Sequence, residues 1–277
     1  MIPSPKLSLI ISVYNKPEIL RYLLAACERQ SFREFEVIVG DDGSGPAVRQ
    51  VVEEQKTLQS FPLVHIWHED RGWRKNVMLN KAIGTAHSDY LVFIDGDCIP
   101  SRDFMLDHWT ERLENSVLFG RRIEMSKRWS ESLTLEKIRS GEFDRVGWKE
   151  LLESLRGELS HFENGIRIQS RLLRTMLLRN ATAMLGSNFS VAKKNMEAVN
   201  GFDELYNGPG CGEDTDIQYR LSLIGVRGRP LRNLAIQYHV YHPATRTAQD
   251  SWDRFHKIVK LSGEPRCRVG LQHIVEP

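Results

Sequence analysis

The chain has 277 residues and a formal net charge of +2; 41% of the residues are hydrophobic and 27% are charged. This composition is typical of a globular protein, and the balanced charge gives no support for nucleic-acid binding. No apolar run approaches the roughly 20 residues of a membrane span, and residues 1–6 show no signal-peptide pattern. The four cysteines are scattered without a CxxC pair, which favours reduced thiols and a cytoplasmic location over disulfides or a zinc site.

The first hundred residues alternate between strand and helix patterns. Runs rich in β-branched and aromatic residues predict strands, and apolar residues at helical spacing predict the helices between them. The predicted strands are 7–13, 35–40, 63–67 and 90–94, and the predicted helices are 17–27, 47–56 and 76–86. This alternation predicts an α/β fold with a mainly parallel sheet and right-handed crossovers, in which ligands bind at the carboxyl ends of the strands.

Polar clusters fall at three of those strand ends, in residues 12–15, 41–45 and 95–97. In the last cluster, Asp95 and Asp97 flank Gly96 directly after an apolar run. Carboxylate oxygens are ligands that Mg²⁺ and Mn²⁺ prefer, and a glycine lets a diphosphate approach the backbone. An isolated Asp-x-Asp is more often an ordinary turn, so its interpretation depends on the rest of the chain.

The chain changes character after about residue 125. Residues 125–180 are rich in Leu, Arg, Glu and Lys and predict two or three amphipathic helices. A packed helical insertion is one interpretation; a lid on the acceptor side, or a patch that contacts a membrane or a partner, is the other. Residues 185–216 are polar and rich in glycine, as expected of an active-site loop followed by a helix, and the basic tail after 244 is expected to be partly loose.

An ordered set of motifs resembles the family 2 glycosyltransferases with the GT-A fold. The motifs are SVYN at 12–15, VIVGDDGS at 37–44, RGWR at 71–74, NKA at 80–82, DGD at 95–97, GSNF at 186–189, NGFD at 200–203 and GEDTD at 212–216. The second half, from Gly201 to Asp214, also resembles the galactosyltransferase and chondroitin-polymerase branches. The resemblance implies one GT-A domain over 1–243, with a Rossmann-like nucleotide-sugar half at about 1–100, the helical insertion at about 125–180 and an acceptor half at about 181–243. The basic tail at 244–277 follows that domain.

The resemblance also implies how a UDP-sugar is held. Asp42 accepts the uracil N3–H, while Asp41 is the residue of an Asp-Gly turn; a simple turn at both positions is the alternative. Arg74 lies against the uracil, or else is a solvated arginine at a helix start. The remaining donor-binding candidates are Ser12, Val13 and Tyr14 around the nucleoside, Asp95 at the ribose, and Gly186 and Asn188 at the sugar.

The predicted metal ligands are Asp97, His239 and His242. The two histidines are three residues apart after a predicted strand at 234–238, so both can face one ion. Imidazole suits Mn²⁺ better than Mg²⁺. Packing of either histidine into the core is the alternative interpretation.

Asp214 is the candidate catalytic base, because an inverting transfer needs one carboxylate to take the proton of the acceptor hydroxyl. An exposed aspartate is ionised near pH 7 without any shift of its pKa. Glu213 is expected to orient a sugar hydroxyl and Asp216 to cap or support the helix start, and the loop 208–212 to order over the donor. A plain acidic first turn of a helix, which the helix dipole favours, is the alternative.

The motifs together predict an inverting glycosyltransferase that uses a UDP-sugar and Mn²⁺ or Mg²⁺. The expected acceptor is a glycan, including a lipid-linked glycan of bacterial surface polysaccharide synthesis, and the expected location is cytoplasmic with a peripheral membrane contact left open. A nucleotidyltransferase is a rival, but its usual Gly-rich basic loop is missing after the first strand. A non-catalytic member that binds UDP or a partner is the other rival, and the presence of both Asp97 and Asp214 disfavours it.

Overall fold

The computed structural model describes residues 4–145, 147–177, 183–209, 214–243 and 248–272. The strands within these residues are β1 (Leu7–Val13), β2 (Phe35–Asp41), β3 (Leu63–Trp67), β4 (Tyr90–Asp95), β5 (Cys98–Pro100), β6 (Ser116–Phe119), β7 (Arg122–Glu124), β8 (Asn188–Ala192), β9 (Arg227–Pro230) and β10 (Gln237–His239). The α-helices are α1 (Pro17–Cys27), α2 (Pro46–Lys56), α3 (Lys75–Thr85), α4 (Phe104–Glu111), α5 (Lys127–Glu131), α6 (Leu135–Ser140), α7 (Trp148–Leu155), α8 (Arg171–Leu177), α9 (Lys193–Ala198), α10 (Thr215–Leu223), α11 (Gln249–Arg254) and α12 (Lys260–Ser262). A π-helical turn, Phe255–Val259, joins α11 to α12.

The main sheet has seven strands in the order β3-β2-β1-β4-β8-β6-β9. The first four are parallel, and β8 runs antiparallel to both β4 and β6. The predicted α/β fold with a mainly parallel sheet is therefore confirmed. The predicted elements of the first hundred residues agree with the structure to within one residue at each end.

Helices cover both faces of the parallel strands, which explains their unbroken apolar sequences. Successive residues of a strand point to opposite faces. In β1, Leu9 and Ile11 pack in one core with Leu24 of α1, while Ile10 packs in a second core with Leu79 of α3. A strand buried on both faces needs apolar residues at consecutive positions, as the sequence of β1 has.

A smaller sheet, in the order β5-β10-β7, lies beyond the end of β4. Its strand β10 is antiparallel to β5 and parallel to β7. Tyr238 of β10 packs with Trp129 of α5, Ile138 of α6 and Phe143 in a third core. Helices α5 and α6 are thus packed against this sheet, whereas α7 and α8 leave large apolar side chains exposed.

The chain after residue 248 packs against the second half of the protein. Following α12, the backbone of Cys267 and of Gln272 hydrogen bonds to Asn200 or to its neighbour Val199. No helix in the described part of the chain has the length and apolar character to cross a membrane.

Candidate active site

The Asp95-Gly96-Asp97 turn joins β4 of the large sheet to β5 of the small one. The Gly96 N–H donates to the carbonyl oxygen of Ser12, at 2.7 Å. A side chain at Gly96 would bring its Cβ to 2.8 Å from that oxygen and to 3.1 Å from the Cα of Val13. The turn needs glycine because it lies directly on the end of β1. The sequence suggested a different reason, namely that glycine lets a diphosphate approach the backbone.

Asp97, His239 and His242 converge on one point. The Nε2 atom of His242 lies 3.2 Å from Asp97 Oδ2, the Nε2 atom of His239 lies 3.6 Å from Asp97 Oδ1, and the two Nε2 atoms are 3.1 Å apart. The ligand atoms all lie within 4.8 Å of one another. One carboxylate and two imidazoles form a donor set that fits a divalent ion and suits Mn²⁺ better than Mg²⁺.

The register of the small sheet assembles this cluster. In β10, His239 pairs with Cys98 of β5 on one side and with Glu124 of β7 on the other. The Val240 N–H donates to the carbonyl oxygen of Asp97, at 2.9 Å. Strand pairing therefore places His239 beside Asp97 although 142 positions separate them in the sequence (239 − 97).

Glu124 holds the second nitrogen of His239. Its Oε2 lies 2.5 Å from His239 Nδ1, and its Oε1 accepts a hydrogen bond from Arg122 Nε at 2.6 Å. Burial opposes ionisation of Glu124, but the hydrogen bond from His239 and the charge of Arg122 outweigh it and lower its pKa to about 2. A carboxylate in this position fixes the orientation and tautomer of a metal-binding imidazole.

Lys16, which the sequence analysis did not single out, lies at the same cluster. Its Nζ is 2.6 Å from Asp97 Oδ2. Burial would raise the pKa of Asp97, but hydrogen bonds from His239 and His242 and the charge of Lys16 hold it well below its usual range. Burial likewise opposes protonation of His239, but the hydrogen bonds to Asp97 and Glu124 raise its pKa above the ordinary value.

Asp95 lies at the adjoining edge of the large sheet. Its Oδ1 accepts a hydrogen bond from Ser12 Oγ at 2.9 Å and lies 2.8 Å from Lys75 Nζ. Ser12, Lys75, Asp95 and Gly186 line one small cleft. The structure therefore brings together three predicted donor-binding residues and a lysine that the sequence analysis did not identify.

Asp42 lies at the end of β2 and is held from two sides. Its Oδ1 is 2.7 Å from His68 Nε2, and its Oδ2 accepts the backbone N–H of Arg74 at 3.0 Å. The Asp42 N–H donates to the Val13 carbonyl at 3.0 Å. Burial raises the pKa of Asp42, although the hydrogen bonds from Arg74 and His68 and the charges of these two residues lower it in part.

The neighbouring acidic residue and the tyrosine complete this corner. Asp41 is buried, and its Oδ1 accepts the Ser44 N–H at 2.8 Å, so the turn role proposed for it is confirmed. Tyr14 is half exposed, and its hydroxyl donates to Asp70 Oδ2 at 2.9 Å. Its ring therefore lies at the surface near Asp42. The hydrogen bond to Asp70 and the charge of Asp70 raise the pKa of Tyr14, and the charge of Asp42 adds a smaller effect in the same direction.

Asn188 is not presented to the cleft. Its side chain is fully buried; Nδ2 donates to the carbonyl oxygens of Arg121 and Ala235, and Oδ1 lies 3.1 Å from His108 Nε2. These bonds tie β8 to its neighbours. The predicted contact of this side chain with the sugar has no support in its placement, because its polar atoms bond inside the protein.

Asp214 precedes α10 and caps it, with Oδ1 accepting the Thr215 N–H at 2.6 Å. The prediction of an exposed carboxylate with an ordinary pKa is wrong. Asp214 is partly buried, and this burial raises its pKa. The hydrogen bonds from Thr215 and Gly186 and the charge of Lys75 lower the pKa, but burial has the larger effect. Gly186 and Lys75, which both act on the Asp214 carboxyl group, line the cleft that also holds Asp95.

Asp216 does not cap the helix. It is fully buried, and Arg220 donates to its Oδ2 from Nη2 at 2.6 Å and from Nε at 2.8 Å. Glu213 and residues 210–212 of the predicted donor loop lie outside the described residues.

The structural comparisons define the class of the fold. TarS of Staphylococcus aureus aligns with a TM-score of 0.57 at 17% identity, over 93% of this chain and 39% of that one. The mannosyltransferase PcManGT of Pyrobaculum calidifontis, solved with GDP-Man and Mn²⁺, aligns with a TM-score of 0.55 at 15% identity, over 86% of this chain and 57% of that one. A fragment of TarS was solved in complex with UDP. The predicted GT-A fold is thereby confirmed.

The sequence comparisons give the family. The family profile described as Glycosyl transferase family 2 matches residues 8–171, and the N-terminal domain of galactosyltransferase matches residues 175–243. The chain belongs to glycosyl transferase family 2, as its motifs predicted. The chondroitin synthases of Escherichia coli and Pasteurella multocida are 28% and 26% identical to it, each over 88% of this chain. The chain spans 36% and 26% of the lengths of these two relatives.

Proposed function

We propose that this chain is an inverting glycosyltransferase that transfers a sugar from a UDP-sugar to a glycan hydroxyl with the help of Mn²⁺ or Mg²⁺. The observation that carries the proposal is the convergence of Asp97, His239 and His242 beyond the end of β4. Asp95 of the same turn lines a cleft together with Gly186, whose backbone hydrogen bonds to Asp214. These contacts support a cation site and a carboxylate base within one active site.

The donor nucleotide would lie along the ends of β1 and β2. Each oxygen of Asp42 accepts one hydrogen bond within the protein, and a carboxylate oxygen has room for another, such as the uracil N3–H. Arg74, Ser12, Val13 and Tyr14 would line the rest of the nucleoside site. The UDP complex of the TarS fragment supports a uridine nucleotide as the donor.

Asp97, His239 and His242 would hold the divalent ion, which would supply positive charge to the leaving diphosphate. Lys16 adds an ammonium group at the same carboxylate, 2.6 Å from Asp97 Oδ2. Glu124 keeps the His239 ring in place by its hydrogen bond to Nδ1.

Asp214 would take the proton of the acceptor hydroxyl while that oxygen attacks the anomeric carbon. The bond from this carbon to the diphosphate oxygen breaks as the new bond forms on the opposite face, so an α-linked donor gives a β-linked product. A base works best when its pKa approaches the operating pH, and burial moves the pKa of Asp214 upward from its ordinary value.

The first test is UDP release from a panel of UDP-sugars in Mn²⁺, Mg²⁺ or EDTA, without an acceptor. We expect slow, metal-dependent release from one donor, and an Asp214→Asn variant should lose about 10²- to 10⁴-fold in rate. Calorimetry should give the same affinity for UDP in this variant, because the base does not contact the nucleotide. Release without a metal requirement, or an unaffected Asp214→Asn enzyme, would refute the proposed mechanism.

The acceptor is proposed to be a lipid-linked glycan, reached by peripheral contact with a membrane. The exposed faces of α7 and α8 support this contact: Trp148 is 82% exposed, Leu155 76% and Met176 72%. Exposed apolar side chains on short helices are suited to insertion at a lipid surface. Sedimentation with anionic vesicles should capture the wild type and lose a Trp148→Ser/Leu155→Ser variant; equal recovery of both would argue against the contact.

A further inference from the structure

A buried histidine, His68, lies beside the carboxylate of Asp42. Strands β2 and β3 are paired in parallel up to Asp41 and Trp67, so Asp42 and His68 are the next residues along the two strands. The Nε2 atom of His68 is 2.7 Å from Asp42 Oδ1, and the two side chains are only 8% and 11% exposed. Because water has little access to this contact, the position of the ring proton of His68 determines what Asp42 can offer to a ligand.

Helix α3 contacts this pair of side chains at both ends. At the start of the helix, the Arg74 N–H donates to Asp42 Oδ2 at 3.0 Å. Seven residues later (81 − 74), or about two helical turns, Lys81 Nζ lies 3.4 Å from His68 Nδ1. The row of hydrogen bonds therefore begins and ends on α3, which fixes the Asp42 carboxylate relative to this helix.

Lys81 determines which nitrogen of His68 carries the proton. An ammonium group can only donate, so Nδ1 is the acceptor of this hydrogen bond and carries no hydrogen. The ring proton is then on Nε2, which donates to Asp42 Oδ1. In the opposite tautomer, the lone pairs of Nε2 and Oδ1 would face each other at 2.7 Å and repel. The hydrogen bonds thus assign a neutral ring to His68 and leave the negative charge of Asp42 in place.

We infer that His68, held by Lys81, is a positioning residue: it keeps Asp42 as a hydrogen-bond acceptor and thereby selects a base with a ring N–H. The inference rests on the proposed function, in which Asp42 binds the base of the donor nucleotide. Burial raises the pKa of Asp42, and the hydrogen bonds from Arg74 and His68 act against its protonation. An ionised Asp42 accepts the N3–H of uracil but repels the N3 lone pair of cytosine. A site built to bond a substrate N–H rejects analogues without it.

Calorimetry of UDP and CDP binding in the presence of Mn²⁺ tests the inference. The wild type should bind UDP more tightly than CDP. His68→Phe keeps a ring but removes the donor, so UDP binding should weaken about tenfold, as expected for one hydrogen bond to a charged group. The preference for UDP over CDP should narrow by a similar factor. His68→Gln, whose amide can donate to Asp42, should recover part of the loss, and kcat at saturating UDP-sugar should stay unchanged in both variants.

His87→Phe is the matched control. His87 Nδ1 lies 2.8 Å from the buried Glu36, so it forms the same kind of pair near the other end of β2. The Kd values of this variant for UDP and CDP should equal those of the wild type. A His68→Phe protein with the wild-type ratio of the two Kd values, or with a loss that His87→Phe shares, would overturn the inference.

Nitrogen NMR of the histidine rings tests the tautomer in the wild type and so covers the case in which His68→Phe does not fold. The signals of His68, assigned by their loss in His68→Gln, should show a protonated Nε2 and an unprotonated Nδ1. In Lys81→Met, Nδ1 should be protonated in a larger fraction of molecules. A protonated Nδ1 in the wild type, or no change in Lys81→Met, would overturn the inference. A wild type that binds no uridine nucleotide would instead refute the proposed function.

Discussion

Replacing Glu124 by glutamine tests whether His239 is a metal ligand held by a carboxylate. The change keeps the size of the side chain and removes its negative charge. In the structure the carboxylate lies 2.5 Å from His239 Nδ1 and 2.6 Å from Arg122 Nε. The glutamine cannot stabilise the imidazole in the same way, so His239 becomes a weaker and less well oriented ligand.

The expected magnitude follows from the place of Glu124 in the site. Loss of such a partner behind a ligand typically costs 10- to 100-fold in metal affinity. Because the Glu124 side chain is 34% exposed, water can replace part of the interaction, and we expect a loss of metal affinity at the lower end of this range. We expect about a tenfold loss of Mn²⁺ affinity, which is about 1.4 kcal/mol.

Mn²⁺ binding in the presence of UDP, followed by calorimetry or by the electron paramagnetic resonance of free Mn²⁺, measures the effect directly. Glu131→Gln is the matched control, since Glu131 pairs with Lys127 on the exposed side of α5 at 3.8 Å. Asp97→Ala should abolish binding. Equal Mn²⁺ affinity of wild type and Glu124→Gln would refute the role of Glu124, and an unaffected Asp97→Ala would remove the metal site itself.

Three further predictions concern stability, measured by urea unfolding. Gly96→Ala would place a Cβ 2.8 Å from a carbonyl oxygen of β1 and should lower the free energy of unfolding by about 1–3 kcal/mol. Gly84→Ala, where the new Cβ would meet no atom within 4 Å, should be neutral or stabilise the protein by about 0.5 kcal/mol. Equal effects of the two changes would contradict the close contact at Gly96. Arg220→Met should lower the free energy of unfolding by about 3–5 kcal/mol, because it leaves the buried Asp216 unpaired. Adding Asp216→Leu should restore much of the lost stability. If the two changes instead destabilise the protein additively, this reasoning is wrong. Burial lowers the pKa of His108 to about 3, so between pH 7 and 5 only the unfolded state takes up its proton, and stability should fall by about 2 kcal/mol on acidification. The fall should shrink in His108→Gln; an equal slope in both proteins would show that His108 is not the cause.

The parallel half of the fold could be predicted because its signals are local. Each strand from β1 to β4 is a buried apolar run, and each is followed by a turn or a helix start that is visible in the sequence. β10 was harder: the strand predicted at 234–238 is observed at Gln237–His239. Asn233 and Ala235 have positive φ angles of 59° and 46°, so the buried residues before β10 form an irregular turn. A run of buried residues therefore resembled a strand in the sequence although its first residues form a turn.

The candidate site could be predicted only as far as its motifs reach. Asp97, His239 and His242 were predicted from the sequence as metal ligands, and the structure brings the three side chains together. In contrast, Glu124, Lys16 and His68 carry no pattern that distinguishes them from surface residues. Their partners come from strand register and from loops that are distant in the sequence. The same limit explains Asp214 and Asp216: the sequence shows an acidic turn, whereas packing decides which carboxylate caps α10 and which is paired in the core.

The two lysines bear on why the acidic turn is stable before a donor binds. Asp95 and Asp97 are two positions apart, and two carboxylates at one turn repel each other and would also repel a diphosphate. Each has its own ammonium group: Lys75 lies 2.8 Å from Asp95, and Lys16 lies 2.6 Å from Asp97. The lysines come from the starts of two different helices, α1 and α3, which pack on opposite faces of the sheet. Under the proposed function, they offset the charge of the turn in the free protein and face the donor when its diphosphate arrives. The acidic motif is therefore better understood as two adjacent ion pairs than as a pair of carboxylates.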